Sequence, residues 1–151
     1  MTGGPSPWVG QASEHHDGVD AAQSGPLAKK QRNWLKISVT GPKIITFWWK
    51  TSSKTGGELR CYVDARRMAT RSGNTGWQQR SILIGRGTHD VKWMFIRDAS
   101  GSAGMNASFL DQVRITAPAG RLKIVLHRPR RSPRRGRCPG AGCLCGLRPA
   151  R

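Results

Sequence analysis

The sequence predicts an all-β chain folded as one antiparallel β-sandwich. Short β-type runs recur from Trp34 onward with turn signals between them, and within the runs apolar and polar residues alternate with a period of two. A chain of 151 residues suffices for one domain with a real core plus tails, and not for two substantial domains.

The elements follow in order. The first thirty residues are rich in Gly, Ser, Pro and Ala without a sustained period, so they read as loop with room for one short edge strand, and residues 1–7 as disordered. The runs are "WLKISV" (34–39), "KIITFWWK" (43–50), "ELRCYVD" (58–64), "WQQRSILI" (77–84), "HDVKWMFI" (89–96) and "SFLDQVRI" (108–115). Gly41-Pro42, Thr55-Gly56-Gly57, Ser72-Gly73-Asn74, Gly85-Arg86-Gly87 and the loop Asp98 to Gly104 separate them. In the fifth run Val91, Trp93 and Phe95 share a face, and in the third Leu59, Cys61 and Val63 oppose Arg60, Tyr62 and Asp64. Trp34, Trp49 and Trp93 fit core positions. The second run is apolar on both faces, with Ile45, Phe47 and Trp49 on one and Ile44, Thr46 and Trp48 on the other. A strand covered on both sides reads this way, and so does one whose outer face lines a groove. Trp48 therefore requires either a covering N-terminal segment or a ligand.

The module spans residues 8–116, and the character changes beyond it. Residues 117–151 form a basic Pro/Arg/Cys-rich tail expected to be disordered. Of a net charge of +18, residues 121–151 supply ten Lys/Arg and no acid. Arg128, Arg130, Arg131, Arg134, Arg135 and Arg137 are the polyanion-binding candidates, although no aromatic residues are interleaved to stack bases. The tail's composition is that of G and C rich codons, so translation of a wrong frame after a frameshift accounts for it, and the flanking nucleotide sequence tests that origin. Cys138, Cys143 and Cys145 lie in the tail without the paired spacing of a zinc site, and only Cys61 lies in the body, which excludes a disulfide scaffold. No apolar window is long enough for a transmembrane helix, and the N-terminus lacks the pattern of a signal peptide.

The ordered series "HDGVDAAQSG" (His16 to Gly25), "NWL" (Asn33 to Leu35), "VTGPKIITFWWKTSS" (Val39 to Ser53), "LRCYVD" (Leu59 to Asp64), "GWQQ" (Gly76 to Gln79), "GTHDVKW" (Gly87 to Trp93) and "FLDQV" (Phe109 to Val113) resembles a β-jelly-roll module of large secreted and cell-surface bacterial proteins. That module is similar to MAM, concanavalin-A-like and galactose-binding-like domains. The resemblance implies a non-catalytic adhesion or carbohydrate-binding module, detached from a larger secreted or surface protein, with an extracellular or cell-surface context. It also implies a Gly after the strand-ending Asp, an acid after the Ser-Ser pair and an Asp before the last strand's aromatic, where this chain has Ala65, Lys54 and Asn106. A side chain at the hairpin position costs about 1 kcal/mol if positive φ is required there. Such departures fit a decaying copy.

No nucleophile-elbow, P-loop, zinc-protease or dinucleotide motif occurs, and the acids are scattered over loops and strand ends, so no enzyme activity is expected. The calcium candidates are Asp17, Asp20 and Asp111, which would pin an N-terminal loop to the last strand; a turn at Asp17-Gly18 and a hydrogen-bonding role for Asp111 explain the same residues. His15-His16 lacks a third metal ligand nearby and reads as loop. For glycans, whose C–H faces stack on exposed rings, the candidates are Trp48, Trp77 and Tyr62. Three functions thus stand at this level: a glycan-binding or adhesion module, a nucleic-acid or polyanion-associating protein acting through its tail, and a truncated product with no selected function.

Overall fold

Eight strands and no helix make up the residues that the computed structural model describes, which are 1–53, 56–98 and 105–119. All belong to the unit Met1–Gly120. The tail candidates Arg128 to Arg137, the three tail cysteines and Lys54 lie outside the described residues. The strands are β1 (Thr2–Gly3), β2 (Val9–Gln11), β3 (Ala21–Gln23), β4 (Arg32–Ser52), β5 (Gly57–Val63), β6 (Arg66–Ser72), β7 (Gln78–Arg97) and β8 (Ala107–Thr116).

One antiparallel ladder joins them in the order β2-β3-β8-β4-β7-β5-β6, with β1 also paired to β4. Its centre is the pair β4 and β7, of 21 and 20 residues, in register from Arg32↔Ile96 to Trp49↔Gln78. In that register Leu35 opposes Trp93 and Phe47 opposes Arg80. Phe47 and Trp93 would thus lie about 40 Å apart on a straight ladder. Their ring centroids are 5.2 Å apart at an interplanar angle of 84°. The ladder therefore folds back on itself into a sandwich. One layer is β2, β3, β8 and the Lys43–Ser52 half of β4 with the start of β7; the other is β1, the Arg32–Thr40 half of β4 and the end of β7 with β5 and β6.

The fold-back lies where the sequence suggested turns between separate strands. Gly41-Pro42, a cis peptide, and Gly85-Arg86-Gly87 are bends inside β4 and β7, so the four central runs are two strands. A Cβ on Gly41 would stand 1.8 Å from the Gly85 carbonyl oxygen, and Gly87 has φ of +98°. Glycine is required because two backbones cross at contact distance.

Between the layers pack Ile45, Phe47, Trp49 and Ile84 from one side and Leu59, Cys61, Val91, Trp93 and Phe95 from the other, all fully buried. Full burial of a residue of Leu or Phe size contributes about 1.5–3 kcal/mol, so this set is the main source of stability. Trp49 and Trp93 are core residues as the alternation predicts. Trp34 is not. It shares the outer face with Lys36 because Asn33, Leu35, Ile37 and Val39 point inward, and its ring lies over Gly3 of β1.

Residues 1–7, expected to be disordered, carry β1, and Trp8 beside them is buried. Asn33, with no exposed surface, anchors this segment by donating from Nδ2 to the Ser6 carbonyl (2.6 Å) and the Gly25 carbonyl (3.0 Å). β6 had no counterpart among the predicted runs, because an edge strand with mostly exposed side chains shows no apolar alternation. In the β5–β6 turn the positive φ (54°) falls on Asp64 and not on Ala65, so the alanine carries no left-handed strain. Aspartate tolerates that conformation better than most residues do.

Candidate functional site

The outer face of the first layer is where alternation leaves Trp48. Its neighbours in register are Gln79 on β7 and Asp111 on β8. One step on, Lys50 opposes Phe109, which is fully buried although it lies outside the main core cluster. A second small apolar nucleus therefore sits on this outer face. The loop between β2 and β3 covers it.

Asp111 holds that loop. It is 5 % exposed, and its Oδ2 accepts the backbone N–H of His16 at 2.7 Å and of Asp17 at 3.4 Å, while Oδ1 accepts the N–H of Gln112 at 2.5 Å. Gln112 has φ of +47° where a bulge shifts the β4–β8 register, which turns β8 towards the loop. Gln11 folds the start of the loop, its Oε1 accepting from the N–H groups of Ser13 (2.8 Å) and Glu14 (2.9 Å). Glu14 then pairs with Lys50 at 2.5 Å, and the Lys50 ammonium lies 5.7 Å from the Phe109 ring centroid.

The result is an aromatic corner. His16 stacks flat on Trp48 with centroids 3.6 Å apart and planes within 16°. Trp77 stands edge-on to His16 at 6.0 Å and to Phe109 at 6.3 Å. His16 is exposed, and Trp48 and Trp77 are half-buried. Gln112 Nε2 reaches His16 Nδ1 at 3.4 Å, and the exposed Gln79 lies beside Trp48 in register, so two amide side chains stand at the rim. Trp48 thus has a covering segment, one that presents its own ring to solvent.

Two groupings predicted from the sequence change. Tyr62 does not join Trp48 and Trp77: the Cys61 side chain points inward, so Tyr62 lies on the outer face of the second layer, beneath the Lys92 ammonium at 5.5 Å. The carboxylates of Asp17, Asp20 and Asp111 do not converge, and among the described residues no group of three His, Cys, Asp or Glu side chains forms a metal site. Asp17 Oδ1 caps the Val19 N–H at 3.0 Å, and Asp111 pins the loop through backbone amides directly. The turn and hydrogen-bonding roles open to these residues in the sequence are the ones present. Nothing in the sequence signalled that His16, read there as a loop residue, would meet Trp48, or that Gln112, Glu14 and Lys50 would join them, because residues up to 96 positions apart meet only through the fold.

Two other features complete the surface. At the β5–β6 turn, His89 Nδ1 lies 2.8 Å from Asp64 Oδ2, and its Nε2 lies 3.0 Å from the Arg86 carbonyl. The Asp64 hydrogen bond first, and the Arg86 carbonyl second, raise the His89 pKa above its ordinary 6.5, and the same contact with His89 lowers that of Asp64. A cleft of about 430 Å³ opens on the second layer, lined by Gly56, Gly57, Glu58, Arg60, Ser72, Ile96 and Asp98. Among the described residues its lining has no aromatic ring, and it lies in the other layer from the corner, so it is not part of the stacking site.

No protein-family model and no curated protein matches the chain. Solved structures do match. The fold they share with this chain is a β-sandwich. TmCBM61, solved in complex with β-1,4-galactotriose, superposes with a TM-score of 0.56 at 16% identity over 78% of this chain and 88% of that one. The K3 cleaved adhesin domain of Lys-gingipain from Porphyromonas gingivalis W83 gives 0.52 at 16% identity, covering 68% and 76%. The secreted serine protease VesC from Vibrio cholerae gives 0.54 at 19% identity over 63% of this chain, which spans 21% of that protein. At such identities the likeness concerns the fold. It bears out the expected β-sandwich.

Proposed function

We propose that this chain is a non-catalytic glycan-binding or adhesion module, detached from a larger secreted or surface protein, that takes a sugar in the corner formed by His16, Trp48 and Trp77. The observation that carries the reading is the corner itself: a flat ring exposed to solvent, a second ring at an angle to it, and amide side chains at the rim. Sugars offer an apolar C–H face for the flat ring and hydroxyls for the amides. The loop is tied down before any ligand arrives, so binding does not have to order it. A fold shared with a carbohydrate-binding module and an adhesin domain supports the same class.

The test is a glycan array with the full chain, followed by titration of the best neutral oligosaccharide, with β-1,4-galactotriose as the first probe. Trp77→Ala and His16→Ala should each weaken binding about tenfold, the order of one lost ring contact. Silence across the array from a folded protein refutes the proposal.

A further inference from the structure

The outer face of the second layer carries chemistry that the aromatic corner does not use. Directly opposed residues on paired strands share a face. Following the register across four strands gives one rung of Arg67 on β6, Tyr62 on β5, Lys92 on β7 and Lys36 on β4. With strands about 4.8 Å apart, this rung is about 14 Å long. The next rung on the same face is Thr70, Arg60, Met94 and Trp34, and the third is Ser72, Glu58, Ile96 and Arg32.

The face is cationic, and its acids Glu58 and Asp90 are already engaged by its own side chains. Glu58 accepts from Arg60 Nε at 2.7 Å, and Asp90 holds Lys36 Nζ at 2.8 Å and the Ser38 hydroxyl at 2.6 Å. Arg67, Lys92 and Arg32 make no ion pair among the described residues. Lys92 is held over the Tyr62 ring, which fixes its ammonium near the middle of the rung. At the third rung the face runs into the cleft of about 430 Å³, whose walls include Glu58, Ser72 and Asp98.

We infer that this face binds an acidic polysaccharide, one that carries carboxylate or sulfate groups between stretches of free hydroxyls. The anionic groups lie against Arg67, Lys92 and Lys36. The hydroxyls enter the cleft, where Glu58 and Ser72 accept their hydrogen bonds. A nucleic acid fits less well for two reasons. It brings a phosphate at every residue, and in the cleft the Arg60 cation is already paired with Glu58, so among the described residues no uncompensated cation there receives one. Its bases need an open ring on which to stack, while the Tyr62 ring already has an ammonium over it. This site is separate from the aromatic corner, so either can fail without the other.

The experiment uses the full chain, so that anything bound by the residues beyond Gly120 is a constant background. Affinity is measured for heparin as the sulfated probe, polygalacturonate as the carboxylated probe, a neutral galactan and duplex DNA. Two double variants are compared, Arg67→Ala with Lys92→Ala, and the charge-keeping Arg67→Lys with Lys92→Arg. Both positions are on the outer face, and far-UV circular dichroism verifies folding. The alanine pair should bind at least one acidic polysaccharide about tenfold more weakly, as expected for two lost exposed charge contacts, and the charge-keeping pair should bind within about threefold of wild type. Whichever probe loses affinity names the anionic group. The alanine pair should leave binding of the neutral galactan unchanged. Equal binding of both acidic polysaccharides by wild type and the alanine pair overturns the inference, and so does a loss confined to DNA.

Discussion

Removing the Asp111 carboxylate is the most direct test of how the candidate site is built. In Asp111→Ala the N–H groups of His16, Asp17 and Gln112 lose their acceptor. A hydrogen bond to a charged group is worth about 1.5–3 kcal/mol, but the exposed loop amides recover water once released. The net loss should therefore be about 2–3 kcal/mol, and Asp111→Asn, which keeps one neutral acceptor, should lose about half of that. Urea denaturation measures the stability, and amide hydrogen exchange shows where it is lost. Protection should fall at His16 and Asp17 and should remain at Phe47 and Trp93 in the core. With the loop released, His16 leaves Trp48, so indole quenching by acrylamide should rise and sugar affinity should change. If Asp111→Ala stays within about 0.5 kcal/mol of wild type and His16 keeps its protection, the carboxylate is not the anchor and the reasoning fails.

Other expectations follow from the core and the charged turns. Trp49→Ala should destabilise by about 3–5 kcal/mol in urea denaturation, because a fully buried indole leaves a cavity that the packed layers cannot close. Gly41→Ala should cost at least about 3 kcal/mol by the same assay, since its methyl meets backbone and not a movable side chain. Burial pushes the Cys61 thiol up to about 12, so it should resist alkylation at neutral pH until the chain is unfolded, as peptide mass spectrometry can read. His89 should titrate above 6.5 by NMR and fall back in Asp64→Asn. The raised His89 value means that the pair's contribution is present at lower pH and is lost as pH rises through the folded His89 pKa; the lowered Asp64 value means that it is also lost as pH falls through the folded Asp64 pKa. Wild type should exceed Asp64→Asn in stability between those two points and match it above them.

Much of this was legible in local patterns. Alternation around "FWWK" separates Trp49 from Trp48, because neighbouring residues in a strand cannot share a face, and the same rule places Val91, Trp93 and Phe95 inside. Asp111 stood out as a last-strand carboxylate, and in the fold it accepts the backbone amides of the loop. β6 and the residues 1–7 escaped notice for a common reason: short or exposed edge elements owe their structure to the strand beside them.

The amino-acid sequence alone determined the fold class, the inward faces of the second, third and fifth runs and the isolation of Trp48, since these follow from period-two geometry within a few residues; it misplaced Trp34, whose run is read inward from Asn33 and Leu35 instead. Only the tertiary structure decided that Gly41-Pro42 and Gly85–Gly87 are bends within long strands, because their signal as turns is the same until two backbones are seen to cross. It alone brought His16 onto Trp48, moved Tyr62 to the opposite layer and aligned Arg67, Lys92 and Lys36 on one rung. Those contacts join residues distant along the chain, and no local pattern encodes which of them a folded sheet sets side by side.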